Sequence, residues 1–325
     1  MRTTGAVLRL KRCKVMKSSD YRKKAIEHLV EYKENVLNLK NKNGMWRGKP
    51  YDHILPNDSE SKNFIDPGYY DFSKLYKHKL IIKSNQAGSI EVGLHINYAH
   101  LNSSQVMCIN YFTPLLFYQV LLKEIIRVFT GVKLSGNITG NFEYTPNEID
   151  NRTSFDFYLE DETRQKLYFE IKYTEQRFGV KKCDANDWNK VWHKMIANSA
   201  YLNNISIEKF YKDYQINRNI CRVRDTNRDH VCFIVPQKSS DIWRKQYDHR
   251  YKNVHWIPWE SLLLITRYLC GENLESKEIN ECINNADDLL CIAGLKPMQN
   301  TMQEIDSLKC QEHYKEFYDK YFDFK

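Results

Sequence analysis

At 325 residues the chain can bury a large core, as one sizeable domain with extensions or as two domains, and its 42% hydrophobic content excludes a disordered polymer. Nine cysteines with no Cys-x-x-Cys and no paired spacing exclude a disulfide framework and a zinc ribbon; they fit a reducing, cytoplasmic setting. The formal charge of +8 invites a nucleic-acid partner, yet residues 1–50 hold 14 Lys and Arg against 4 Asp and Glu, leaving 35 against 37 for the rest. A phosphate-binding surface must therefore be local, or the N-terminal segment must supply it.

Met1 to Val15 carries five basic residues and no acid, and it lacks the apolar core of a secretory signal. Met16 reads as the physiological start, which an intact mass of the native protein would check. A polar, charged helix is predicted from Met16 to about Lys40. Asn43 to Asp71, rich in Gly, Pro, Asn and Asp, reads as a long ordered loop or linker. His95 and His100 have no Cys or carboxylate cluster beside them and read as a strand or loop pair, not zinc ligands. Ser103 to Leu122 is free of charge over nearly the length of a membrane span. Gln105, Asn110 and Pro114 interrupt it, so a buried pair of core helices is expected and no membrane.

Pro114 to Thr130 reads as a helix, with Pro114 in its first turn and Gly131 closing it. Asn141 to Tyr144 follows as a short strand. Thr153 to Leu159 and Lys166 to Tyr173 crowd aromatic and β-branched residues as half-buried strands do, about a polar turn at Glu160–Gln165. In the second strand Leu167, Phe169, Ile171 and Tyr173 share one face, so Glu170 and Lys172 share the other. Folding the strands about the turn sets Asp156 almost opposite Glu170.

Further on, Asp187 to Leu202 carries Trp188, Val191, Trp192, Met195 and Ile196 on one helical stripe. Ile207 to Arg222 reads as another helix, with Gln215, Arg218 and Arg222 on one face beside Tyr211. Arg suits phosphate, which makes that stripe a candidate substrate-binding face, although a solvated helix face has the same pattern. Arg222 to Asp229 is a loop, Val231 to Val235 a buried strand, and Leu262 to Leu269 an apolar helix. Trp256 and Trp259 read as core. After a polar stretch from Asn273 to Asn285, the tail from Met298 to Lys325 is helical. Its stripe of Tyr314, Phe317, Tyr318, Tyr321 and Phe322 must pack on the domain.

Two clustered carboxylates repel one another unless a cation neutralises them. Mg²⁺ takes one or two carboxylates, keeps several waters and completes its shell with substrate phosphate. Asp156, Glu170 and Lys172 thus form the minimum kit for a hard divalent cation and a water beside it. An ordinary cross-strand ion pair would use the same residues.

Asp156 and the triplet Glu170-Ile171-Lys172 resemble the PD-(D/E)XK nuclease superfamily, with Phe155 standing where the motif has Pro. The segments Leu101 to Gln105 and Asn110 to Leu115 look like those of a bacterial branch of that superfamily. The resemblance implies a restriction-endonuclease-like α/β (α+β) core, a central mixed sheet flanked by helices, with helical N- and C-terminal extensions. The expected division is a basic helix, linker and accessory segment over 1–100, the nuclease core over 101–270, and a C-terminal helical extension over 271–325. It further implies a metal-dependent DNA endonuclease. Mg²⁺, or Mn²⁺ in its place, would be held by Asp156 and Glu170, with Lys172 at the attacking water. Glu124, on the helix, is one candidate to complete the metal site because some members use a helix Glu; Glu143, on the first strand, is its rival. Gln215 resembles the polar residue that reaches the site in such nucleases. The expected partner is nucleic acid, DNA by family analogy, and a homodimer is open. The alternative is an inactive member of the fold that binds nucleic acid or another protein.

Overall fold

The computed structural model describes residues 15–72, 79–82, 90–146, 154–274 and 304–324. Helix α1 (Ser18–Asn35) buries Tyr21, Ala25, Leu29 and Tyr32, one stripe at helical spacing. It stops short of Lys40 because the chain turns through left-handed residues at Asn38 and Asn41. The segment read as a long ordered loop or linker contains short strands. Strands β1 (Gly44–Trp46) and β2 (Lys49–Tyr51) make an antiparallel hairpin. Its two-residue loop, Arg47-Gly48, has φ of 50° and 76°, the double positive φ that matches the twist of a tight hairpin. Strands β3 (Tyr70–Asp71), β4 (Lys79–Ile82) and β5 (Ile90–Gly93) form a small antiparallel sheet.

The uncharged stretch is a helix pair, but not with the expected limits. Ser103 Oγ caps α2 (Ser104–Phe117) by accepting from Val106 N, and α3 (Gln119–Thr130) follows after a 118° bend at Tyr118. Pro114 therefore lies in the last turn of the first helix, not in the first turn of the second. Proline has no N–H for the carbonyl four residues back. That carbonyl, Asn110 O, accepts from His313 Nε2 at 2.8 Å. Gly131 closes α3 at φ 72°. Among the described residues no single helix is long and apolar enough to cross a membrane.

The hairpin read in the sequence is the centre of a five-stranded mixed sheet. Strands β6 (Ile138–Tyr144), β7 (Phe155–Asp161) and β8 (Lys166–Ile171) are antiparallel, while β9 (Asp229–Val235) and β10 (Val254–Pro258) continue in parallel with β8. The spatial order is β10-β9-β8-β7-β6. The two-residue period divides the side chains. Phe157, Leu159, Leu167, Phe169, Ile171 and Ile234 enter one core, and Tyr158, Tyr168, Val231 and Phe233 enter the other. Full burial of each such side chain stabilises the fold by about 2 kcal/mol.

Helices cover both faces. On the second face lie α4 (Ala185–Asp187), a π turn at Trp188–Trp192 and α5 (His193–Ala197), which bury Trp192, Met195 and Ile196. The helix expected over 207–222 breaks at Asp213 into α6 (Ile207–Lys212) and α7 (Tyr214–Ile220). A short α8 (Ser240–Trp243) leads on to the first face, where α9 (Trp259–Leu269) and α10 (Glu304–Tyr321) pack with α2. Tyr314, Phe317, Tyr321 and Phe322 are buried there, as their stripe required, and Trp259 is core. One core runs from Tyr21 through α2 to Phe322, so all three sequence segments contribute to it. Residues 1–14, 275–285 and 298–303, which hold most of the basic leader, most of the polar stretch and the start of the tail, lie outside the described residues.

Candidate active site

Strand pairing brings three acids into one row. In the β7–β8 ladder Phe157 faces Phe169, which sets Asp156 across from Glu170 at the next step. In the β6–β7 ladder Phe142 faces Phe157 and Tyr144 faces Phe155, which sets Glu143 across from Asp156. Both ladders are interrupted at this row. Glu143 has φ 50°, a left-handed backbone that costs a β-carbon residue about 1 kcal/mol. Beyond the Phe157–Phe169 pair, Ile171 N donates to Asp156 Oδ2 at 2.5 Å.

The row lies in the wall of a cleft of about 670 Å³, whose lining also includes Arg22, His95, His100, Thr174, Glu175 and the residues that open α2, Ser103 to Gln105. Glu170 is buried and held on every side. Its Oε1 accepts from Lys172 Nζ at 2.7 Å and Gln215 Nε2 at 2.6 Å, and its Oε2 accepts from Asn219 Nδ2 at 2.8 Å. Arg218 stands 3.8 Å from Oε2. Gln215 is fixed in turn, because its Oε1 accepts from Gly179 N at 2.6 Å. Glu143 accepts from Gln105 Nε2 at 2.9 Å and Ser154 Oγ at 3.2 Å.

Electrostatically the row is short of positive charge. Burial and then Glu170 push the Asp156 carboxyl well above the usual aspartate range, against the lowering effect of Lys172. Burial also raises Glu143, helped by Glu170 and opposed by its hydrogen bonds from Gln105 and Ser154. For Lys172 burial pulls the ammonium down, but Glu170, Glu175 and Asp156 outweigh that and hold it above the ordinary lysine value. It is a cation, suited to stabilising charge and not to acting as a base. Among the described residues no three His, Cys, Asp or Glu close on a common point as a complete metal cage. A hard cation that keeps waters and shares substrate oxygens needs only one or two carboxylates, so the donor set fits such an ion.

The sequence-predicted residues divide clearly. Asp156, Glu170, Lys172, Glu143, Gln215 and Arg218 meet in the cleft. Glu124 does not line it; its carboxylate is gripped by Arg127, three residues on, with Arg127 Nε at 2.9 Å from Glu124 Oε2. Arg222 does not line it either, because α7 ends at Ile220 and the stripe it belonged to ends there too. Asn219 was missed, although it lies four residues after Gln215 on the same helical face. Arg22, Gln105, Ser154 and Glu175 were missed as well. Only Ser154, two residues before Asp156, carried a local signal.

No curated protein and no solved structure matches the chain. The family described as restriction endonuclease associating with ARP matches residues 21–270, a span that includes α2, the carboxylate row and the strands after it. Such membership carries a nuclease-like function and interaction with nucleic acid. With a mixed sheet flanked by helices and that match over most of its length, the chain belongs to this restriction-endonuclease-like family.

Proposed function

We propose that the cleft hydrolyses phosphodiester bonds of DNA with a divalent cation, Mg²⁺ or Mn²⁺. The observation that carries the reading is the row Glu143–Asp156–Glu170 across three adjacent strands, with the cationic Lys172 directly after the last of the three. Asp156 and Glu170 would hold the ion, with Glu143 beside them. When bound, it would neutralise the crowded carboxylates, polarise a phosphoryl oxygen and make a water more acidic. The chain's own groups do the rest. Gln215 and Asn219 fix the Glu170 carboxylate in one orientation, so it need not reorganise when substrate arrives. Lys172 offers a fixed positive charge to the phosphate under attack. Arg22 and Arg218 in the cleft wall draw a phosphate backbone in, and the N-terminal end of α2 adds its dipole.

The test is nicking of supercoiled plasmid with Mg²⁺ or Mn²⁺ by the wild type, Asp156→Ala and Lys172→Ala. Nicking by the wild type alone is expected. Activity that survives both substitutions discards the mechanism, and DNA binding without cleavage in every metal favours the inactive member of the fold.

A further inference from the structure

The hairpin β1–β2 takes no part in the cleft chemistry, yet it stands next to it. The Trp46 ring meets His100 edge-on with centroids 5.4 Å apart, and His53 meets His100 at 5.8 Å. His100 lines the cleft, so the hairpin begins one ring away from the carboxylate row's surroundings. Its base is clamped. A β-carbon on Gly44 would lie 2.2 Å from Leu55 O, so only glycine seats the strand this closely. The buried Lys33 donates to Asn43 Oδ1 at 2.6 Å and Lys42 O at 3.1 Å, and Asn43 Nδ2 donates to Asp52 Oδ1 at 2.6 Å. The nearest acid is therefore engaged at the base.

The tip is bare. Met45 is 58% exposed, beside exposed Arg47 and Lys49, with the Arg47 guanidinium over the Trp46 ring, while Tyr51, opposite Gly44 at the base, is 39% exposed. Large apolar groups beside cations on a braced arm are costly to leave in water and suit a polyanion with apolar base edges.

We propose that the β1–β2 hairpin is a groove-reading arm for duplex DNA, seated beside the cleft that takes the scissile strand. The proposal rests on the reading of that cleft as a nuclease site. A two-stranded ribbon fits the major groove of B-form DNA, whereas the major groove of A-form RNA is too deep and narrow for it. Arg47 and Lys49 supply phosphate or guanine contacts, and Met45 an apolar contact for a thymine methyl group. Part of the upstream basic surplus thus lies near the cleft: Arg22 in its wall, and Arg47 and Lys49 on the hairpin whose Trp46 touches the cleft-lining His100.

The experiment is fluorescence anisotropy in EDTA over a salt series, using a short labelled duplex DNA and the matching duplex RNA. The full-length wild type is compared with the double variant Arg47→Asn, Lys49→Gln. Asn keeps the left-handed turn, and an unchanged melting temperature verifies the fold. DNA affinity should fall about tenfold and the salt slope should drop by about 2, with duplex RNA binding changed less than about twofold. Unchanged DNA affinity and slope, or an equal loss on RNA, overturns the arm. Plasmid nicking by the wild type separates the two readings. If it persists while the variant binds normally, the arm falls and the nuclease reading stands; if the variant loses DNA but the wild type nicks nothing, hydrolysis falls and the arm stands.

Discussion

Lys172 Nζ lies 2.7 Å from Glu170 Oε1, and both side chains leave the same face of the sheet two residues apart. This is a buried pair, and removing one partner of such a pair leaves an uncompensated charge. Lys172→Met should therefore lower the stability of the cation-free protein by about 3 kcal/mol and abolish nicking. Urea denaturation in EDTA checks the first effect; a midpoint equal to that of the wild type would show that Glu170 draws no stabilisation from Lys172.

Asp156 predicts the opposite sign. Its carboxyl is raised on folding, so the folded state holds a proton at pH values where the unfolded chain has lost it. The contribution to stability is thus present at low pH and falls as pH rises above the ordinary aspartate range. Asp156→Asn keeps an oxygen for Ile171 N and removes the charge. In EDTA at neutral pH it should be more stable than the wild type by on the order of 1 kcal/mol, with less loss of stability between pH 5 and 7.5. A less stable variant would mean that Asp156 is not crowded.

Gln215 and Asn219 act through Glu170, so their loss should appear in the metal dependence. Gln215→Ala should raise the Mg²⁺ concentration for half-maximal nicking by about 10- to 100-fold. A drop in rate at all Mg²⁺ concentrations with an unchanged half-point would assign Gln215 to substrate instead.

The two candidate acids separate by position. Glu143→Gln should reduce nicking at least tenfold, because it removes one carboxylate of the row. Glu124→Gln should leave nicking unchanged and cost no more than about 0.5 kcal/mol, since its pair with Arg127 is partly exposed. Equal losses from both would break the assignment.

Lys320, which does not line the cleft, gives a pH signature. It is buried, donates to Asn63 O and Oδ1, and burial lowers its pKa to about 7. Between that value and the ordinary lysine value the unfolded chain holds a proton that the folded one lacks, so stability from this group rises with pH across the window. Lys320→Met should flatten that rise in urea melts between pH 7 and 10. An unchanged slope would show that Lys320 folds as a cation.

The heart of the site was legible because two local rules sufficed. Alternation gave the faces of β8, and the polar turn gave the register that sets Asp156 across from Glu170. What escaped needed contacts distant in sequence. Glu143 lies in the row and Glu124 outside it because of the β6–β7 register and a ring of partners at Gln105 and Ser154, none of which a helix or strand pattern encodes. Arg222 fell away because a helix that should continue stops at Ile220. Pro114 misled as a helix start, since its missing N–H is compensated by His313, a residue from the far end of the chain. The Arg47-Gly48 turn was readable from Gly48 between Trp46 and Lys49, but the surrounding Gly, Pro and Asn content made the whole stretch read as loop.

The most direct measurement of the central claim is anomalous scattering from a crystal soaked in Mn²⁺. A single strong peak within ligand distance of both Asp156 and Glu170, with Glu143 adjacent and Glu124 remote, is the predicted result. A fully soaked crystal with no peak there, or with its strongest peak at another site, would contradict it.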